Sequence, residues 1–271
     1  LGEPAAPGAG KREEAGELHG TREGHIAARG VPDKAAQREK RHEEGGSSRA
    51  GEAAHDEAAG REGERRVSLE PFAAGDGQDY LDLPILLTAQ GKCTTDHISM
   101  AGPWLKYRGH LENISGNLFL GAVNAFTGVA GEGKDQLDGS TRSFPDIARH
   151  YHEAGQPWVA VGDENWGEGS SREHAAMEPR FRGAKAIIVR SFARIHEANL
   201  KKQGVLGLTF EDPATYDQVG EDDRISILGL ADLAPGHPVD CLLRKPDGTE
   251  IPFRCNHTMS DEHIEWFRAG S

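Results

Sequence analysis

Between Pro157 and Arg190 the chain reads PWVAVGDENWGEGSSREHAAMEPRFRGAKAIIVR, and no other stretch narrows the choice of fold as far. Trp158–Val161 is a short apolar run that predicts a buried strand. Gly162–Gly169 is a turn-rich loop with three glycines, Arg172–Arg182 has helical spacing, and Ala184–Val189 predicts a second buried strand. Strand, loop, helix and strand in that order form the repeating unit of a parallel α/β sheet.

Gly169, Ser170, Ser171 and Arg172 fall where this loop is expected to enter its helix. A helix start leaves backbone N–H groups unpaired and carries partial positive charge, so it favours anions. Glycine lets the backbone approach a ligand closely. Arginine grips a carboxylate or phosphate through two parallel bonds. The loop therefore suits a small anion with a serine beside it. The same residues also spell a helix cap. Ser170 with Glu173 is an S-x-x-E capping box, and a capping serine can still face a ligand.

Two strings extend the pattern. GDENWGEGSSREHAAMEPR runs from Gly162 to Arg180, and GKCTTDHISMAGPWLKYRGHLENISGNLF runs from Gly91 to Phe119. Both resemble the C-terminal swivelling domain of mitochondrial-type aconitase, as does SFARIHE-x-NLKKQG at Ser191–Gly204. The small subunit of isopropylmalate dehydratase shares GSSREHA but usually carries cysteine where this chain has Glu168, so the longer match favours aconitase. The resemblance covers about Val67–Ser271. It implies a three-layer β/β/α domain with a mainly parallel sheet.

The resemblance also implies roles. Ser170 would be the catalytic base in the interconversion of citrate and isocitrate through cis-aconitate, a hydro-lyase reaction. Arg108, Ser171 and Arg172 would bind substrate carboxylates, with Asp96 and His97 in support. A Lewis-acid iron of a [4Fe-4S] cluster would activate the leaving hydroxyl. The cluster, its cysteines and the other substrate arginines lie in earlier domains of the family, so no metal ligand is expected within this chain. The expected partners are a tricarboxylate and a cluster-bearing core, and the isolated chain is expected to be inactive. The implied location is the mitochondrial matrix, although no targeting peptide is readable. Two alternatives stay open: a free-standing small subunit of an isopropylmalate-dehydratase-like enzyme, and a non-enzymatic anion-binding module. On its residues alone, Asp96 also fits ordinary turn chemistry, bonding local backbone.

Composition divides the chain. Residues 1–66 contain no Phe, Trp, Tyr or Cys and are rich in Gly, Ala, Glu and Arg. Such a segment buries too little apolar surface to offset chain ordering, so disorder is expected there, with the domain at 67–271. Gly46–Arg49 echoes Gly169–Arg172 without a flanking strand or helix, and reads as coincidence. No apolar run is long enough to span a membrane. A net charge of −13 argues against nucleic acid as a partner. Cys93, Cys241 and Cys255 form no C-x-x-C, which fits a reducing compartment, and their spacing is not that of a cluster.

Elsewhere, Pro84 within Leu81–Thr88 predicts an edge strand or a start after residue 84. Gly128–Ser143 reads as a mobile surface loop. Phe144–Ala154 is expected to be a helix opening on Pro145, with His150 and His152 on the surface and not metal ligands, since no acid or cysteine is spaced with them in a recognised ligand set. Ser191 reads as the cap of a helix with Phe192, Ile195 and Leu200 near one face, stopped by Gly204. Arg194 and His196 read as structural. Val205–Phe210 is a further strand. Ile225–Leu228, Val239–Leu243 and Ile251–Cys255 predict a smaller β layer, and Asp261–Phe267 begins a last helix.

Overall fold

A computed structural model describes residues 74–75 and 77–270, so the expected disorder of residues 1–66 and the echo at Gly46–Arg49 lie outside the described residues. The strands are β1 (Tyr80–Thr88), β2 (Glu132–Lys134), β3 (Thr141–Ser143), β4 (Trp158–Gly162), β5 (Ala184–Val189), β6 (Leu206–Phe210), β7 (Arg224–Leu228), β8 (Val239–Arg244) and β9 (Glu250–Asn256). The helices are α1 (Thr95–Ile98), α2 (Leu111–Ile114), α3 (Phe144–Glu153), α4 (His174–Phe181), α5 (Arg194–Lys202) and α6 (Asp261–Ala269).

Seven strands close on themselves in the order β1-β4-β5-β6-β9-β8-β7. β1, β4, β5 and β6 run parallel. The pairings β6–β9, β9–β8, β8–β7 and β7–β1 are antiparallel. Side chains alternate between the two faces of a strand, and here both faces of the parallel half are buried. Val159, Val161, Ala186, Ile188, Leu206 and Leu208 pack inward against Ile225, Ile227, Cys241 and Leu243 of the antiparallel half. Trp158, Ala160, Ala184, Ile187 and Val189 face outward, onto Phe144, Ile147 and Tyr151 of α3, Ala175 and Ala176 of α4, and Leu200 of α5. Helices, parallel half and antiparallel half are the three layers expected of the α/β class. The parallel character belongs to the half of the sheet that carries the helices.

Several local expectations need correction. Pro84 lies inside β1 and not at an edge. The strand pairs with β7 through Tyr80, Leu83 and Pro84 and with β4 from Ile85 onward, with a register break on each side. Proline, which has no N–H, sits where the strand changes partners. Gly128–Ser143 contains the β2–β3 hairpin. Gly133 is there because a Cβ would come within 2.5 Å of the Phe144 ring. The hairpin brings Asp135 to 2.6 Å from His150 Nδ1 and places Asp138 beside it, so His150 does have acidic neighbours that sequence spacing concealed. Those carboxylates already accept bonds from Arg142, Leu137 N and Ser140, which accounts for them as a structural ion-pair cluster.

Candidate active site

The loop after β4 and the loop after β5 meet at the C-terminal ends of the parallel strands, the usual place for a ligand in such a sheet. Trp166 ties them together: its N–H donates to Ser191 O (3.0 Å) and its C=O accepts from Ala193 N (2.9 Å). The segment before α1 supplies the third wall. Gly167 N donates to Cys93 O (2.7 Å) and Thr95 N donates to Glu168 O (3.0 Å). Gly167 has φ +79°, and a Cβ there would come within 2.2 Å of His196 Cγ, so only glycine lets the loop lie on that imidazole.

The walls enclose an open cavity of about 450 Å³ lined by Ser170, Ser171, Arg172, Thr95, Arg194, His196 and Asn199, among others. Its size falls in the range of small-molecule sites, roughly 300–1,000 Å³. The two serines are exposed. The amides of Gly169, Ser170, Ser171 and Arg172 donate to no partner among the described residues. Arg172 is largely buried and is held through Nη1, which donates to Asp96 Oδ1 (2.7 Å), Thr95 O (3.3 Å) and Ser99 O. The bond from Arg172 is the main reason the Asp96 carboxyl lies below the usual range.

The predicted residues thus separate into two groups. Ser170, Ser171 and Arg172 line the cavity, and Asp96 reaches it through Arg172. His97 instead caps α1: its Nδ1 accepts from Thr94 N (3.3 Å), and Thr94 Oγ1 accepts from His97 N (3.3 Å). Arg108 is exposed at the end of the 3-10 turn Gly102–Tyr107 and does not line the cavity; its C=O is 3.0 Å from His174 Nε2, against the start of α4.

The expected capping box is absent. α4 begins at His174, with Glu173 at the cap position and no side-chain cap bond. Ser170 and Ser171 therefore stand in the loop before the helix, with their hydroxyls uncommitted to capping. Ser191 is not a cap either; its Oγ accepts from Asn165 N (2.9 Å), and Ala193 occupies the cap of α5. Ile195, expected on the packed face, is 56% exposed.

Sequence reasoning missed Thr95 and Asn199 and read Arg194 and His196 as structural. The available signal was a polar pair, His196 and Asn199, three apart on the buried face of a helix. Burial holds the His196 imidazole neutral, lowering its pKa to about 4. On the buried face of α4, Glu178 is fully buried and accepts from Ser99 Oγ (2.7 Å). Burial raises its pKa to about 8, against the pull of Arg172 and Arg182.

The cysteines do not fit an iron–sulfur cluster. Cys93 is buried with the helix layer, whereas Cys241 and Cys255 are buried inside the barrel. Thiolate ligation needs cysteines that converge on one point.

Residues 83–213 match the family model described as the aconitase C-terminal domain. The chain is 58% identical over 208 residues to the mitochondrial aconitate hydratase of Gracilaria gracilis, covering 77% of this chain and 27% of that protein. The Saccharomyces cerevisiae enzyme gives the same figures, and a probable mitochondrial aconitate hydratase of Caenorhabditis elegans is 56% identical over 208 residues, again 77% and 27%. A solved 3-isopropylmalate dehydratase of Methanocaldococcus jannaschii aligns over 65% of this chain and 83% of its own, at 19% identity and a TM-score of 0.40. The chain thus spans about a quarter of the length of these aconitate hydratases, 27%. Over residues 83–213 the chain is similar to the aconitase C-terminal domain family.

Proposed function

We propose that this chain supplies the serine loop and part of the carboxylate-binding wall of an aconitate hydratase, which interconverts citrate and isocitrate through cis-aconitate in the mitochondrial matrix. One observation carries the reading: Ser170, Ser171 and the clamped Arg172 lie together on a cavity wall with a run of unpaired amides.

The chemistry follows from those groups. A carbon acid beside a carboxylate must lose a proton, and a serine hydroxyl is a poor base unless its oxyanion is stabilised. The amides of Gly169 to Arg172 and the Arg172 guanidinium place positive potential where that charge develops. Because Asp96, Thr95 O and Ser99 O already hold Nη1, Arg172 is fixed before a ligand arrives, which reduces the ordering cost of binding. Ser171 adds a hydroxyl donor on the same wall. Arg108 lies outside the cavity lining and would act on a substrate only where further protein closes over this face. The iron–sulfur cluster of a complete enzyme would be held by other sequence, since the cysteines here do not fit it.

The test is complementation. A cluster-bearing aconitase core lacking this domain is mixed with the chain, and hydration of cis-aconitate is followed by absorbance. The chain alone is expected to give no turnover. The mixture is expected to regain it, and Ser170→Ala to remove at least about 10²-fold of the regained rate. Restored turnover that is indifferent to Ser170→Ala would refute the assignment.

A further inference from the structure

The floor of the cavity is built for a ligand that the serine loop alone does not account for. Ala193 holds the cap position of α5, and its methyl group cannot accept a hydrogen bond, so the N–H groups of Arg194, Ile195 and His196 begin the helix without a side-chain partner among the described residues. All three residues line the cavity. Uncapped first-turn amides seek an acceptor and carry the positive end of the helix dipole.

Independent side-chain evidence points the same way. Thr95, His196 and Asn199 are 2%, 2% and 7% exposed. Thr95 Oγ1, both ring nitrogens of His196 and Asn199 Nδ2 are buried without any hydrogen-bond partner among the described residues. Each residue lines the cavity. A polar group buried without a partner is unfavourable, because it has lost its water and gained nothing in exchange. Three polar residues around one cavity, each with an orphaned atom, mark a place completed by something bound. The groups are mostly donors: an amide NH2, a hydroxyl, one N–H of a neutral imidazole and the helix amides. Arg194 stands exposed on the same wall and forms no ion pair among the described residues.

We propose that the start of α5, with Arg194, His196, Asn199 and Thr95, is a second carboxylate seat in this cavity, separate from the one at Ser171 and Arg172. A ligand with two or more carboxylates would bridge the two. This rests on the carboxylate reading of the cavity and adds a position and residues to it.

Citrate is titrated into the 15N-labelled chain while backbone and Asn side-chain amide signals are followed. Saturable shifts are expected at Arg194, Ile195, His196 and Asn199 Nδ2 as well as at Ser170–Arg172. Arg194→Ala and Asn199→Leu should each weaken the apparent Kd at least about fivefold, close to 1 kcal/mol. Ala193→Asp supplies an internal carboxylate as a helix cap. It should raise the melting temperature while abolishing the shifts at α5, a combination that general damage to the fold cannot produce. Shifts confined to Ser170–Arg172 would overturn the second seat and leave the proposed function standing. Shifts confined to α5 would support the seat and count against the serine-loop reading. No saturable shift at either place would overturn both.

Discussion

Replacing Glu178 by glutamine tests the electrostatics behind the site. The side chain is fully buried on α4, its Oε1 accepts from Ser99 Oγ at 2.7 Å, and its Oε2 has no partner among the described residues. Burial raises its pKa from 4.5 to about 8, so the folded chain keeps this proton through a range in which the unfolded chain has lost it. With more protons bound in the folded state, stability falls as pH rises between those values. At about 1.4 kcal/mol per unit, the loss attached to this group between pH 5 and pH 8 is about 3 kcal/mol. Glutamine is neutral throughout, and its Oε1 can still accept from Ser99. Its Nε2 is a buried donor without a partner, which adds a pH-independent cost of about 1–3 kcal/mol. His196 has the opposite sign, since its folded pKa of about 4 makes stability rise with pH up to its unfolded value, but that contribution is common to both proteins. Urea denaturation of the chain and of Glu178→Gln at steps from pH 5 to pH 8 isolates the difference. The wild type should lose about 3 kcal/mol more than the variant across that range. Parallel pH profiles would show that Glu178 is ionised in the folded chain, and the account of α4 as the neutral backing of Ser99 and Arg172 would be wrong.

Two further outcomes follow from packing and charge. Gly167→Ala puts a methyl group 2.2 Å from His196 Cγ at φ +79°, and should cost about 3 kcal/mol in urea denaturation while shifting the amide signals of the serine loop. Arg182 is 1% exposed, and its Nη2 donates to the half-exposed Glu112 at 2.7 Å. Glu112→Ala strands a buried cation and should cost about 2–3 kcal/mol, whereas Arg182→Met, which leaves a carboxylate that water can reach, should cost less than half of that; equal losses would contradict the asymmetry.

The short apolar runs at Trp158–Val161 and Ala184–Val189 made the parallel unit legible, and the glycines around Ser170 marked the loop. What the sequence concealed was non-local. The capping box at Ser170 looked complete because S-x-x-E is a local pattern, but α4 starts later, once the loop has been tied to Cys93 and Thr95. Pro84 suggested an edge because proline has no N–H, yet β1 changes partners at that residue, and nothing in nine residues reveals which strands flank them. His196 and Asn199 looked like ordinary members of an amphipathic helix. Their importance depends on atoms left unpaired at the bottom of a cavity, a property of the assembled walls that no spacing encodes. Gly128–Ser143 read as a loop because glycine is frequent in turns, but one of its glycines is a contact with Phe144.

The strand order has a consequence for how the chain is made. β6 pairs with β9, the last described strand, while β7 turns back to pair with β1, the first described. A ribosome that has released residues only as far as Arg244 has therefore delivered a sheet that cannot close, with β6 and β8 both showing open edges. Closure waits for Glu250–Asn256, and contacts of such long sequence separation are slow to form. Until then the nascent polypeptide presents two templates for pairing with other chains. A translation product cut short before β9 is accordingly expected in the insoluble fraction, and a trigger for chaperone capture, even though every residue lining the cavity has by then been synthesised.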